Sequence, residues 1–264
     1  MTLQQADDFV AESRRLHALV EGAGKGALTR PTLFKGWTVE EIVRHVHVWN
    51  IGADLALTDE AAFAAHIAGA ADALMTGGMR DFERQAVTVT GPALIEAWRA
   101  RFEDMLPRWQ GQDPKRRVKW AGPDMSVRSS MTARQMETWA HGQAIYDLLG
   151  VERQDTDAIR NIVVLGANTF GWTFKVRGWT VPEQIPELRI IAPSGPVWTF
   201  GTPGAGLIEG AATAFCQVVT QTRNIADTDL LVEGETAQLW MRNAQCFAGP
   251  PHDPPPPGSR YRSA

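Results

Sequence analysis

Apolar residues recur every three to four positions through most of the first half of the chain, the spacing of one buried helix face. The pattern predicts a first helix over about Leu3–Glu21, with Phe9, Leu16, Leu19 and Val20 turned inward, ended by the glycines of Gly22–Gly26. A second runs from about Val39 to Leu57. Thr38 and Glu41 form a T-x-x-E capping box at its start, and Val39, Ile42, Val43, Val46 and Trp49 make its apolar side. An Ala-rich helix over about Glu60–Leu74 precedes the breaker Thr76-Gly77-Gly78. Gly91-Pro92 then opens a helix carrying Leu94, Ile95, Trp98, Phe102 and Leu106, with the proline near its first turn. The run Asp113-Pro114-Lys115-Arg116-Arg117 reads as a solvated turn, and Val118–Met131 as an irregular connection. Thr132 and Gln135 cap the next helix, which passes through Glu137 and His141 and stops at Gly150.

The texture changes further on. Asp155–Phe174 is again helical, but beyond Gly178 the sequence alternates. Leu188–Ile191 and Val197–Phe200, joined around Ser194-Gly195, predict a β-hairpin. Gly201–Gly206 lacks the G-x-G-x-x-G order of a dinucleotide site and reads as a turn. An amphipathic helix over Leu207–Thr222, a loop with a short strand over Asp227–Gly234 and a final helix over Ala237–Phe247 complete the pattern. The expected architecture is an α-helical bundle over residues 1–152 and a small α+β domain with a linking helix over 153–248. A mobile Pro-rich tail follows over 249–264, where Pro254–Pro257 are consecutive.

Composition narrows the function classes. The 264 residues are 44% hydrophobic and 21% charged, the balance of a globular protein, and the length suffices for one or two cores. A net charge of −4 removes the basic face that nucleic-acid binding needs. No segment approaches the ~18 continuous apolar residues of a membrane span. The start, MTLQQADDFVAESRR, has acids where a signal peptide has a basic region and an apolar core, so a cytoplasmic location is expected. Cys216 and Cys246 are far apart within apolar patterns and read as free buried thiols. The chain has no nucleophile elbow and no Walker loop.

Candidate chemistry gathers on two of the helices. Glu137 and His141 are four residues apart, about one turn, so both project from one face. That face continues through Ala144, Ile145 and Leu148, which places a carboxylate and an imidazole on an inward stripe. A buried carboxylate needs compensation. A divalent cation supplies it, since Glu oxygen and His nitrogen are both zinc ligands; a Glu–His hydrogen bond without metal is the plainer alternative. A third ligand would come from the helix beginning at Val39, where His45 and His47 flank the apolar stripe on opposite edges and periodicity leans weakly to His45.

The segment F-x-x-W-T-V-E-E-I-V-x-H (Phe34, Trp37, His45), followed much later by E-x-x-x-H (Glu137, His141), resembles the mycothiol-dependent maleylpyruvate isomerases. They belong to the wider DinB-like group of metal-binding four-helix bundles. The resemblance implies a DinB-like four-helix bundle followed by the α+β domain. It also selects His45 over His47 and implies a divalent metal, zinc first, held by His45, Glu137 and His141. One departure stands out. The family commonly has an Asp three residues after the second histidine, where this chain has Ala144; Asp147 lies a turn later. The second half, from VRGWTVPEQIPELRIIAPSGPVWTFG to Gly210–Asn224, resembles the sterol-carrier-like, wyosine-formation type of C-terminal domain.

What the resemblance implies is a metal-dependent enzyme, first an isomerase or transferase dependent on a low-molecular-weight thiol such as mycothiol or glutathione. In such a reaction a thiolate adds to an activated alkene, a bond rotates and the thiolate leaves. A metal-dependent hydrolase and a non-catalytic metal- or ligand-binding protein are the alternatives. The implied partners are a small-molecule substrate and the thiol, with no nucleic acid or membrane, and a homodimer is compatible. An anionic substrate would need a cation, for which Arg128, Arg177 and Arg223 are candidates; Arg223 is preferred because it ends a helix of the second module.

Overall fold

The computed structural model describes residues 2–260. The chain divides into two compact units between Ile145 and Tyr146, within a long helix.

The first unit is helical. α1 (Gln4–Gly22), α2 (Val39–Thr58), α3 (Glu60–Thr76) and α5 (Gly91–Gln110) lie where the apolar spacing places them. The capping box fixes the start of α2. Thr38 Oγ1 accepts from the Glu41 amide at 3.2 Å, and Glu41 Oε2 accepts from the Thr38 amide at 2.8 Å. Phe9 and Leu16 of α1, Ile42 and Val43 of α2, and Trp98 and Phe102 of α5 are wholly buried. α6 (Val127–Leu149) comes close to α1 at Gly142, where an added Cβ would stand 3.2 Å from the Leu16 side chain.

Two elements differ from expectation. The stretch after Gly77-Gly78 forms α4 (Met79–Ala86), a helix of two turns that periodicity is too short to reveal. The connection read as irregular over Val118–Met131 instead contains the antiparallel pair β1 (Arg117–Val118) and β2 (Met125–Ser126). α6 begins at once from there, its first turn supported by Ser126 Oγ accepting from the Ser129 amide. Thr132 and Gln135 are therefore interior helix residues, not caps.

The second unit is α+β. A 3₁₀ turn (Asp157–Ile159) leads into α7 (Arg160–Asn168) and α8 (Phe170–Val176). The hairpin is β3 (Pro186–Ile191) with β4 (Val197–Phe200), in a sheet of order β4-β3-β5-β6. β3 alternates, burying Leu188 and Ile190 and exposing Arg189 and Ile191. The expected helix over Leu207–Thr222 is half strand. β5 (Thr202–Ala211) pairs parallel with β3 before α9 (Ala212–Val219) begins. The GTPGAG run is thus mostly strand. Gly201, at φ 80°, passes so close to the Pro186 carbonyl that no Cβ would fit. β6 (Leu231–Glu233) and α10 (Glu235–Asn243) follow, with Phe174, Phe215 and Trp240 in the core. Cys216 and Cys246 are both buried, and no disulfide joins them.

The segment expected to be a mobile tail is held by hydrogen bonds as far as it is described. Gln221 Nε2 donates to the His252 carbonyl at 2.7 Å, Asn224 Nδ2 to that of Pro255 at 2.8 Å, and the Gly258 amide to Asp227 at 2.8 Å. Prolines have no amide donor, but their carbonyls accept, and side chains of the α+β core reach them. Residues 261–264 of the predicted tail lie outside the described residues. No helix among the described residues is long and apolar enough to cross a membrane.

Candidate metal centre

α2 and α6 bring His45, Glu137 and His141 together in the first unit, one ligand atom of each lying within 4.8 Å of the others. Glu137 Oε2 is 3.3 Å from His141 Nε2 and 3.9 Å from His45 Nε2, and the two imidazole centroids are 4.5 Å apart. The side chains are 13–24% exposed, so the cluster is open on one side.

The far side of His45 is fixed. Its Nδ1 lies 2.6 Å from Oε1 of Glu83, on α4, and the Glu83 side chain is 1% exposed. A carboxylate accepts only, so Nδ1 carries a proton, and in the neutral ring Nε2 presents its lone pair toward Glu137. Metal-binding histidines commonly donate their other ring N–H to a carboxylate in this way, which fixes the ring's orientation. The sequence reading did not single out Glu83, because nothing in RDFERQA distinguishes it from a solvated acid.

Aromatic rings close the walls. Trp37 stacks on His141 at 5.7 Å and 11°, Phe34 meets it edge-on at 5.0 Å, and Trp49 lies 6.3 Å from His45. The F-x-x-W motif thus packs directly on the clustered imidazoles. Arg80 lies over the other part of that wall, its Cζ 3.7 Å from the Trp37 ring centroid.

Electrostatics follow from this packing. Burial by itself raises the Glu137 carboxyl, but contacts with His141 and His45, and the charge of Arg134, hold it well below the usual carboxylate range. Burial lowers His45, yet Glu137 and Glu83 outweigh it and its pKa is raised. His141 is lowered, by burial and then by the charge of His45.

The remaining candidates lie elsewhere. His47, two residues from His45, is buried away from the cluster, and its pKa falls to about 4 through burial and the charges of Arg101 and Arg44. Arg223 is 3% exposed, and its guanidinium donates to both carboxylate oxygens of Asp147 at 2.5 and 2.8 Å. Its charge is already matched within the second unit. Arg177 donates to the His252 carbonyl at 2.5 Å. The Arg128 amide is tied to the Pro114 carbonyl at 3.2 Å, at the start of α6.

Comparison with known proteins identifies the family. Two uncharacterized proteins of Mycobacterium tuberculosis, one each from strains H37Rv and CDC 1551, are 37% identical over 245 residues, covering 92% of this chain and 95% of theirs. The crystal structure of the mycothiol-dependent maleylpyruvate isomerase superposes with a TM-score of 0.50 at 17% identity, covering 82% of this chain and 86% of that one. At that identity the likeness speaks for the fold. Residues 9–146, more than half of the chain and the span within which the three clustered residues fall, match the mycothiol maleylpyruvate isomerase N-terminal domain, and the chain is a member of that family.

Proposed function

We propose that this protein is a divalent-metal-dependent enzyme, an isomerase or transferase that uses a low-molecular-weight thiol on a small-molecule substrate. The observation that carries the reading is the convergence of His45, Glu137 and His141, with Glu83 behind His45.

The donor set fits a metal. Two imidazole nitrogens and one carboxylate oxygen match zinc and its neighbours. His45 and His141 would hold the ion through Nε2, and Glu137 through its carboxylate. Three protein ligands leave a coordination position open, the mark of a catalytic site. An ion bound there supplies a Lewis acid that keeps a thiol as its thiolate at neutral pH.

The chain's own residues do the rest. Glu83 fixes the His45 tautomer, and Trp37 and Phe34 hold the His141 ring and keep water from one flank. Glu137 serves as a ligand, so a general base is not assigned to it. The thiol is carried over from the solved relative, a mycothiol-dependent isomerase. Mycothiol heads the candidates and glutathione follows.

The test is direct. Purified protein should contain near-stoichiometric divalent metal, zinc first, and the cobalt-substituted form should gain thiolate-to-cobalt absorption when a low-molecular-weight thiol is added. Cobalt bound but indifferent to thiols would point to hydrolysis or simple binding. A wild-type protein that takes up no metal leaves only the Glu–His hydrogen bond.

A further inference from the structure

Arg134 stands on α6 one turn before Glu137 and is 3% exposed, yet its Nε and Nη1 have no hydrogen-bond partner among the described residues. The first unit's other buried arginine shows what is normal. Arg44, 5% exposed, donates to the Val87 carbonyl and to Glu40. A buried guanidinium without acceptors is costly, and such groups are ordinarily paired.

Its surroundings point toward the metal centre. Residues three apart on a helix are neighbours on its surface, so Arg134 and Glu137 share one side of α6. The Arg134 Cζ lies 5.0 Å from the ring centroid of Trp120, Trp120 is 5.9 Å from Trp49, and Trp49 is 6.3 Å from His45. A wall of rings therefore runs from the ligand cluster to the unpaired cation. Ring faces attract the charge but accept none of its N–H groups in the plane.

A bound ion sharpens the imbalance. Glu137 is the acid nearest in sequence on that side of α6, and a divalent cation would take up its charge. Glu83 is engaged with His45. The centre would then carry excess positive charge, with the Nε and Nη1 donors of Arg134 lacking an acceptor among the described residues.

We infer that Arg134 is the anion-binding residue of this centre: it receives the carboxylate of a ligand whose other end reaches the open metal position. A carboxylate suits it because planar guanidinium and planar carboxylate pair through parallel hydrogen bonds. The inference rests on the metal reading above and adds to it the residue of this chain that would hold the ligand's acid group.

Two thiols that differ in one group provide the test. In the cobalt-substituted protein, mercaptoacetate should bind more tightly than 2-mercaptoethanol by about tenfold or more, read from the thiolate-to-cobalt band. Arg134→Gln should abolish that preference while leaving 2-mercaptoethanol affinity within about twofold. A wild-type protein with no preference, or a variant that keeps it, overturns the inference. Should Arg134→Gln misfold, Arg134→Lys decides. It retains the charge but loses the planar fork, so the preference should fall severalfold, and an undiminished preference overturns the assignment.

Failure of the metal reading is separable. If wild-type protein binds no cobalt, malonate is titrated into it and followed by tryptophan fluorescence, since Trp120 lies against Arg134. Saturable change in wild type that is absent in Arg134→Gln supports the anion site on its own. Equal response from the two sinks it.

Discussion

Two carboxylates of the same bundle, the buried Asp54 and the half-buried Glu137, are handled in opposite ways. The Asp54 side chain is 6% exposed and ringed by donors. Arg101 Nη1 reaches it at 3.0 Å, Arg108 Nη2 at 2.6 Å and Nε at 3.2 Å, and Trp109 Nε1 at 3.2 Å. All three partners lie on α5, so packing α2 against α5 completes the cluster without outside help. Glu137 faces two imidazoles across 3.3 and 3.9 Å, distances longer than good hydrogen bonds. One imidazole, His45, has its Nδ1 proton engaged by Glu83, so in its neutral form it presents a lone pair inward. A carboxylate ringed by guanidinium and indole N–H donors is finished structure, whereas one facing imidazoles, which can turn a lone pair inward, is free to take a cation under the metal reading proposed above. The inward stripe alone does not separate them; the chemistry of the facing groups does.

The strongest way to break that contrast is to remove a facing imidazole. His141→Ala should weaken metal binding by about a thousandfold, measured by competition with a chelating dye, because two ligands remain of three. A loss under tenfold would show that the ion, if bound, is held by other groups. Asp54→Ala should do the reverse. It leaves two arginines and an indole without their acceptor and should cost about 2–3 kcal/mol in urea unfolding. The figure is discounted from a fully buried pair because Arg101 and Arg108 are about a third exposed. Metal affinity per folded molecule should be unchanged.

Glu83→Gln comes next. The amide keeps the shape but no longer fixes the His45 tautomer, so metal affinity should fall about ten- to a hundredfold. Fold and thermal midpoint should move little by comparison. An unaltered affinity would make Glu83 a packing acid.

These residues also show how far the sequence could be read. α2 was legible to its first residue because the capping box and apolar stripe are local signals. The E-x-x-x-H pair was legible because one helical turn fixes its geometry. Glu83 was not, since it meets His45 only when α4 folds back over a separation of 38 residues. Arg134 was not, since an arginine in a helix pattern carries no mark of burial. The second half failed at Leu207–Thr222 for a related reason. Residues up to Ala211 form a strand by pairing with β3, a non-local partner, and Gly210 at φ 148° breaks the helical pattern that the apolar spacing suggests. Arg223 was read as a helix-end cation, but its partner Asp147 is 76 residues away.

The finest test of the contrast uses the histidine two residues from His45. His47 is 5% exposed, and burial with the charges of Arg101 and Arg44 lowers its pKa to about 4, against about 6.5 in an unfolded chain. The folded protein keeps His47 neutral, so below pH ~6.5 the unfolded chain binds a proton that the folded one refuses. Stability from this group is therefore complete above that pH and is lost as pH falls toward 4, where folded His47 also titrates. After allowance for relaxation, about 1–2 kcal/mol is expected, a part of the full linkage value. His47→Gln should flatten the stability profile between pH 6.5 and 4 by that amount, measured by urea unfolding at each pH. Metal affinity at pH 7.5 should remain within about twofold of wild type. If His47→Gln instead lowers metal affinity as far as His141→Ala does, the two faces of α2 are not separate, and the division between finished and unfinished carboxylates fails with them.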